Sequence, residues 1–167
     1  GNYFGESVSL SGNNMIAGSR LNDDNGADSG SAYIFQYEPT YIINMYRWTE
    51  KVKLIASDAA AGDEFGKSVA ISGNTAIVGS HYDDDGGSKS GSAYIFQYDP
   101  SSNTWIQKTK LTASDAQASD YFGNSVAISG NIAVIGAHYS DDIGASAGSA
   151  YIFQYDPSTN TWEQKAK

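Results

Sequence analysis

The chain has 167 residues, of which 40% are apolar and 13% aromatic, which is enough for a buried core and argues against intrinsic disorder. Its formal net charge of −9 argues against nucleic acid or an anionic membrane as a partner, because both attract basic surfaces. It lacks cysteine, which excludes disulfides, and no apolar run approaches the ~20 residues of a membrane-spanning helix.

The predicted elements repeat three times along the chain. Each copy opens on a Phe-Gly pair and closes on a tryptophan; successive tryptophans are 57 residues apart, and the phenylalanines are 61 and 57 residues apart. The copies are predicted to cover residues 1–60, 61–117 and 118–167. Their landmarks are Phe4, Phe65 and Phe122 and then Trp48, Trp105 and Trp162.

The second copy shows the strand pattern best. Val69 and Ile71 alternate with small residues, a Ser-Gly-Asn turn follows, and residues 75–79 form a small and branched run. After an acidic loop, residues 92–98 place three aromatic side chains on one face, and residues 105–112 follow a "DPSSNT" turn. The pattern predicts an all-β chain in which each copy is a four-stranded antiparallel meander with strands A to D.

A repeat longer than about 40 residues built from short strands favours propeller blades. Both faces of such a sheet are apolar, so each copy must stack on a neighbour. Closed propellers need about four to eight blades, so three blades cannot close a ring. Because both ends fall within a repeat and the chain begins at Gly1, we expect further blades from a longer chain. Two copies pairing as 3 + 3 and coverage by another subunit are the alternatives.

The motif "FGxSVAISGNxAIVGA", an acidic loop and "GSAYIF" resemble the FG-GAP repeats of β-propellers in secreted and cell-surface proteins, which are related to integrin α-subunit blades. The "YDPxTNTW" turn also resembles the kelch blade. The resemblance implies a non-enzymatic extracellular module that binds a protein or glycan, as in adhesion. The alternative is a structural subunit of a larger assembly. Two features differ from the family: Arg20, His81 and His138 replace the last letter of "GAP", and the integrin-type calcium loop is replaced by a short turn.

Most acidic residues fall in the loops between strands B and C and in the connections from strand D to the next strand A, which share one face of a propeller. Carboxylates on glycine-hinged loops suit Ca²⁺, so these loops are candidate calcium sites. Asx turns that order the loops are the alternative. The candidate ligands are Asp23, Asp24, Asp83, Asp84, Asp85, Asp141 and Asp142.

Three further patterns bear on function. His81 and His138 could favour Zn²⁺ or Cu²⁺, but Arg20 in the first copy cannot bind a metal, which favours packing. The lysines of strand D are predicted to protect the outer blade edge. No nucleophile, base and acid set stands out, which argues against an enzyme.

The turn between strands C and D of the first copy departs from the repeat. It reads "YEPTYIINMYRW" where the other copies carry Ser, Asn and Thr, so it forms either an apolar contact patch or a hairpin packed on its own blade. The candidate partner-binding residues are Tyr41, Ile42, Ile43, Met45 and Tyr46.

Overall fold

A computed structural model describes residues 1–39, 45–141 and 147–167 and confirms the all-β prediction. Twelve strands form three four-stranded antiparallel sheets, here called blades 1, 2 and 3, and each sheet follows chain order. The described residues contain no helix that is long and apolar enough to cross a membrane. The strands are β1 (Val8–Ser11), β2 (Asn14–Ser19), β3 (Ser31–Pro39), β4 (Tyr46–Leu54), β5 (Ser68–Ser72), β6 (Thr75–Ser80), β7 (Ser92–Asp99), β8 (Thr104–Leu111), β9 (Phe122–Ser129), β10 (Ile132–Ala137), β11 (Ser149–Asp156) and β12 (Thr161–Ala166).

The blades share their local geometry because they share their turn residues. In each hairpin between the first two strands a glycine takes a φ of +55° to +58°, which suits the first position of a two-residue turn. Each blade also has a β-bulge between its third and fourth strands at the equivalent position, for example between Ile95 and Phe96. Because these features recur at equivalent positions, equivalent side chains of the three sheets face the neighbouring blade.

The hydrophobic core lies between the blades in two clusters. One lies between blades 1 and 2, where Phe65 and Trp105 pack against Ile16 and Ile34. The other lies between blades 2 and 3, where Phe122 packs against Ile95. In both, the Phe of the Phe-Gly pair is fully buried and acts as a wedge against the preceding blade. A single blade therefore leaves its apolar faces uncovered.

The closest approach between blades is made by glycine backbone. Gly79 of β6 faces the carbonyl oxygen of Gly123 of β9, and a Cβ at Gly79 would lie far inside van der Waals contact with that oxygen. The Ser68 hydroxyl donates to the same oxygen at 2.7 Å. Gly18 meets Gly66 in the same way between blades 1 and 2, where Ser7 is the donor. Only glycine permits this spacing.

Two blade faces have no partner in the described structure. On blade 1, Phe4 is 57% exposed and Leu10 63%, whereas their equivalents Phe65 and Ile71 are 0% and 5% exposed. On the far side of blade 3, Val134 and Ile152 are also exposed, although their blade 2 equivalents are buried. The two open faces therefore carry the complementary halves of the interface that joins the blades internally.

Gly79→Ala tests the glycine contact. We expect it to lower the free energy of unfolding by about 3 kcal/mol, because the added methyl group pushes the Gly123 carbonyl and blade 3 away from blade 2. The measurement is urea unfolding followed by tryptophan fluorescence. Gly136→Ala is the matched control: it is the equivalent blade 3 position, where only the flexible Ser125 hydroxyl lies close. Equal losses for the two variants would contradict this role of the contact.

Candidate functional site on the loop face

The candidate site lies on the face of the stacked sheets that carries the loops between the second and third strands and the connections between blades. This face is here called the loop face. In blade 2, carboxylate oxygens of Asp58, Asp83 and Asp85 lie within 4.8 Å of one another. The Lys110 ammonium, at the end of β8, donates to Asp58 and Asp83 at 2.8 Å and to Asp85 at 2.5 Å. A side chain of the protein thus stands where a bound cation would bridge the carboxylates.

Each of the other blades carries an equivalent lysine at or just after the end of its fourth strand. Lys53 binds Asp24 and the Asn22 side-chain oxygen, and Lys167 binds Asp115 at 2.6 Å. The three ammonium groups also lie 5.1 to 5.4 Å from the ring centres of Tyr33, Tyr94 and Tyr151. These lysines were predicted to guard the outer edge, and the structure instead turns them onto the loop face. Their long side chains span the distance from the strand end to the loops.

The charges of the blade 2 cluster stabilise one another. Burial alone would lower the pKa of Lys110, but the bonds to its three carboxylates outweigh burial and raise it above the ordinary lysine value. Burial would raise the pKa of Asp58, and the bond from Lys110 outweighs that effect and lowers it. Lys110 and Asp58 therefore stay ionised at neutral pH, and the Lys110 ammonium acts as an internal cation that orders the loops.

Asp83 organises this cluster because it is almost fully buried. Its carboxylate accepts hydrogen bonds from the hydroxyl groups of Ser92 and Tyr94, both at 2.9 Å, in addition to Lys110. The equivalent positions hold Asn22 and Ser140, which are also buried but carry no charge. Asp83 therefore adds to the blade 2 cluster a buried carboxylate that the uncharged Asn22 and Ser140 do not supply at their positions.

The structure brings only some of the candidate calcium ligands together. Asp83 and Asp85 meet, and they are joined by Asp58, which the sequence placed on this face but not in the set. Asp23 and Asp84 instead accept backbone N–H bonds within their own loops, from Asp28 at 2.8 Å and Lys89 at 2.6 Å. These bonds order the loops as the alternative to calcium binding expects, although they span five residues and an Asx turn spans two. Asp24 binds Lys53, Asp141 is exposed, and Asp142 lies outside the described residues. Calcium binding itself stays a prediction.

Aromatic rings form a continuous row, here called the aromatic band, across the loop face of blades 2 and 3. His81 stacks on Tyr82 with ring centres 4.0 Å apart, Tyr82 lies 5.5 Å from Tyr121, and Tyr121 lies 5.3 Å from Tyr139. Tyr139 is 47% exposed. Tyr121, which directly precedes Phe122, joins Tyr82 to Tyr139. The band consists of His81, Tyr82, Tyr121, His138 and Tyr139.

His81 is the buried end of the band. Burial, reinforced by the nearby positive charges of Lys67 and Arg20, lowers the pKa of His81 to about 3. Its imidazole is therefore neutral at physiological pH and packs against Tyr82. The equivalent Arg20 binds Glu6 and Glu64 at 2.6 and 2.5 Å, so an ion-pair network replaces the aromatic rings at blade 1.

The described part of the predicted apolar patch lies at the opposite end of the sheets. Tyr41, Ile42 and Ile43 lie outside the described residues. Met45 and Tyr46 are described, and both are more than half exposed. The Tyr46 ring stacks on Tyr37 at 5.2 Å, so part of this turn does pack on its own blade.

The fold and its repeated Phe-Gly and glycine contacts define a β-propeller blade protein. The family model described as FG-GAP repeat matches residues 1–35, 48–96 and 105–153, and the chain belongs to this family. The crystal structure of Saccharomyces cerevisiae Sqt1 is similar, with 11% sequence identity and a TM-score of 0.49. The match covers 98% of this chain and 35% of that one. A comparison with curated protein sequences finds no match.

Lys110→Met tests whether the ammonium fills a cation position. Removing it leaves three close carboxylates that repel one another, so we expect a lower melting temperature and Ca²⁺ binding at least about tenfold tighter than in the unmodified protein. Calorimetric Ca²⁺ titration is the measurement. Lys53→Met is the matched control, because Lys53 faces only one carboxylate and one amide. Equal Ca²⁺ binding by the unmodified protein and Lys110→Met would contradict the interpretation.

Proposed function

We propose that this chain is a non-enzymatic β-propeller module that acts outside the cell and binds a protein or glycan partner, as adhesion proteins do. Membership of the FG-GAP repeat family supports a binding or structural module, and such repeats are typical of extracellular proteins. The family does not identify the partner, so the proposal rests on the surface chemistry of the loop face.

The aromatic band is the observation that carries this proposal. Beside it lies a hollow of about 320 Å³ whose lining includes Tyr121, Tyr139 and Asp141. Aromatic side chains give a large contact area at low entropic cost and are enriched in the centres of interfaces. Exposed carboxylates at the rim, such as Asp84 and Asp141, favour a basic or neutral partner. The internal lysines order this surface, while any contribution of Ca²⁺ stays a prediction.

Tyr139→Ser tests the role of the band. The full chain, labelled with a fluorophore, is applied to a glycan array and to intact cells with and without protease treatment. Free methyl glycosides are added in excess to occupy any site for a single sugar ring. We expect the variant to lose at least about tenfold in affinity for whichever surface the unmodified chain still binds, because Tyr139 is the most exposed tyrosine of the band. Ile106→Ser is the control, since Ile106 is an exposed apolar residue of β8 that belongs to neither the aromatic band nor the other candidate contact surfaces. Unchanged binding by Tyr139→Ser would refute the proposal.

A second candidate function is assembly, because the open faces of blades 1 and 3 are complementary halves of one interface. The face with Phe4, Val8 and Leu10 matches the one that blade 2 presents to blade 1, and Val134 and Ile152 match the face that receives it. An equivalent blade from the same longer chain, a second copy or another subunit would cover both faces. The turn at residues 39–46 would add a contact outside the sheets.

Leu10→Lys tests self-assembly through the open faces. In light scattering at increasing concentration we expect the unmodified chain to exceed the mass of one copy, and Leu10→Lys to remain at that mass, because a buried ammonium without a partner is costly. Tyr139→Ser should assemble like the unmodified chain. A single-copy mass for the unmodified chain at all concentrations would rule out a second copy as the occupant.

A further inference from the structure

Two equivalent clefts lie between neighbouring blades at the turn end of the sheets, opposite the loop face. The cleft between blades 2 and 3 encloses about 320 Å³, and the one between blades 1 and 2 about 170 Å³. Each combines a glutamine and a lysine of one blade with two asparagines, a tyrosine and a tryptophan of the next. The larger cleft uses Gln97, Lys108, Asn131, Tyr155, Asn160 and Trp162.

Hydrogen bonds within the protein fix Tyr155 and Asn160, which line one wall of the larger cleft. Asn160 has a φ of +59°, and its backbone N–H donates to the Asp156 carbonyl at 2.8 Å. The Tyr155 hydroxyl donates to the side-chain oxygen of Asn160 at 2.7 Å. Because this bond uses the oxygen of the Asn160 amide, its NH₂ group stays available as a donor to a ligand. Tyr98 and Asn103 repeat this arrangement at 2.6 Å. Such preorganisation reduces the entropic cost of binding.

Three other polar side chains of the larger cleft are available to bind a ligand. Among the described residues, the side chains of Gln97, Lys108 and Asn131 make no hydrogen bond or ion pair with the protein. In the smaller cleft, by contrast, Lys51 forms an ion pair with Glu38. The larger cleft thus offers several amide donors and acceptors, and its lining includes no carboxylate.

We infer that the cleft between blades 2 and 3 binds an uncharged pyranose sugar. Its volume is at the low end for ligand pockets, which suits one small ring. Amides can bond neighbouring hydroxyls as donor and acceptor together, and the half-buried Trp162 supplies apolar contact for the sugar ring. The site is separate from the loop face and does not depend on the function proposed for the aromatic band.

The test is an NMR titration of the full chain with methyl glycosides of mannose, galactose, N-acetylglucosamine and glucuronic acid. We expect at least one neutral glycoside to shift the side-chain amides of Asn131 and Asn160 and the indole N–H of Trp162 together. Asn160→Gly should weaken this binding at least about tenfold, because glycine keeps the turn conformation and removes the amide. Asn103→Gly, the same change in the smaller cleft, should leave it unchanged.

Three results would overturn the inference. The first is that no neutral glycoside shifts these resonances at tens of millimolar, and the second is that Asn160→Gly binds as well as the unmodified chain. The third is that the glucuronide binds more tightly than every neutral glycoside and loses that advantage in Lys108→Met, which would make the cleft an anion site. Tyr139→Ser should not alter the titration. The sugar cleft is therefore tested by Asn160→Gly and the loop-face proposal by Tyr139→Ser, so each can fail without the other.

Discussion

The backbone contact between glycines of neighbouring blades is the constraint on which the rest of the structure depends. Where Gly79 meets Gly123, and Gly18 meets Gly66, the sheets come close enough for each Phe wedge to be buried completely. The same approach pairs Gly30 with Phe65 and aligns the ends of adjacent sheets. Because those ends are aligned, loops of different blades meet on one face and turns of different blades meet on the other.

Each end of the stacked sheets therefore acquires a surface that no single repeat contains. On the loop face, Asp58 comes from the connection before blade 2, and it meets Asp83, Asp85 and Lys110 of blade 2 itself. On the turn end, Gln97 of blade 2 faces Asn131 of blade 3. Composite surfaces of this kind allow a repeat protein to vary one position and change one site. The Asn22, Asp83 and Ser140 series illustrates such variation, because the buried residue differs in every blade and carries a charge only in blade 2.

The sequence predicted the fold in detail because the alternation of residue types along a strand shows which side chains lie on each face of the sheet. Alternation around Val69 and Ile71, the Ser-Gly-Asn turn and the repeat spacing were sufficient for the all-β class and the four-stranded blades. The candidate sites were harder to predict. A lysine at the end of a strand is expected to be exposed to solvent when only its neighbours in the sequence are considered. The contact of Lys110 with Asp58 depends on two residues 52 positions apart. The sequence did contain a signal for a shared role of these lysines, because Lys53, Lys110 and Lys167 are 57 residues apart, as the tryptophans are.

The dependence of each blade on its neighbours is tested most directly by producing residues 61–117 as a separate chain. Circular dichroism and urea unfolding would be compared with those of residues 61–167, which keep the interface between blades 2 and 3. If stacking stabilises the sheets, the single repeat is unfolded, and the two-repeat chain unfolds cooperatively. A single repeat with fixed aromatic packing and a cooperative unfolding transition of its own would contradict this origin of stability.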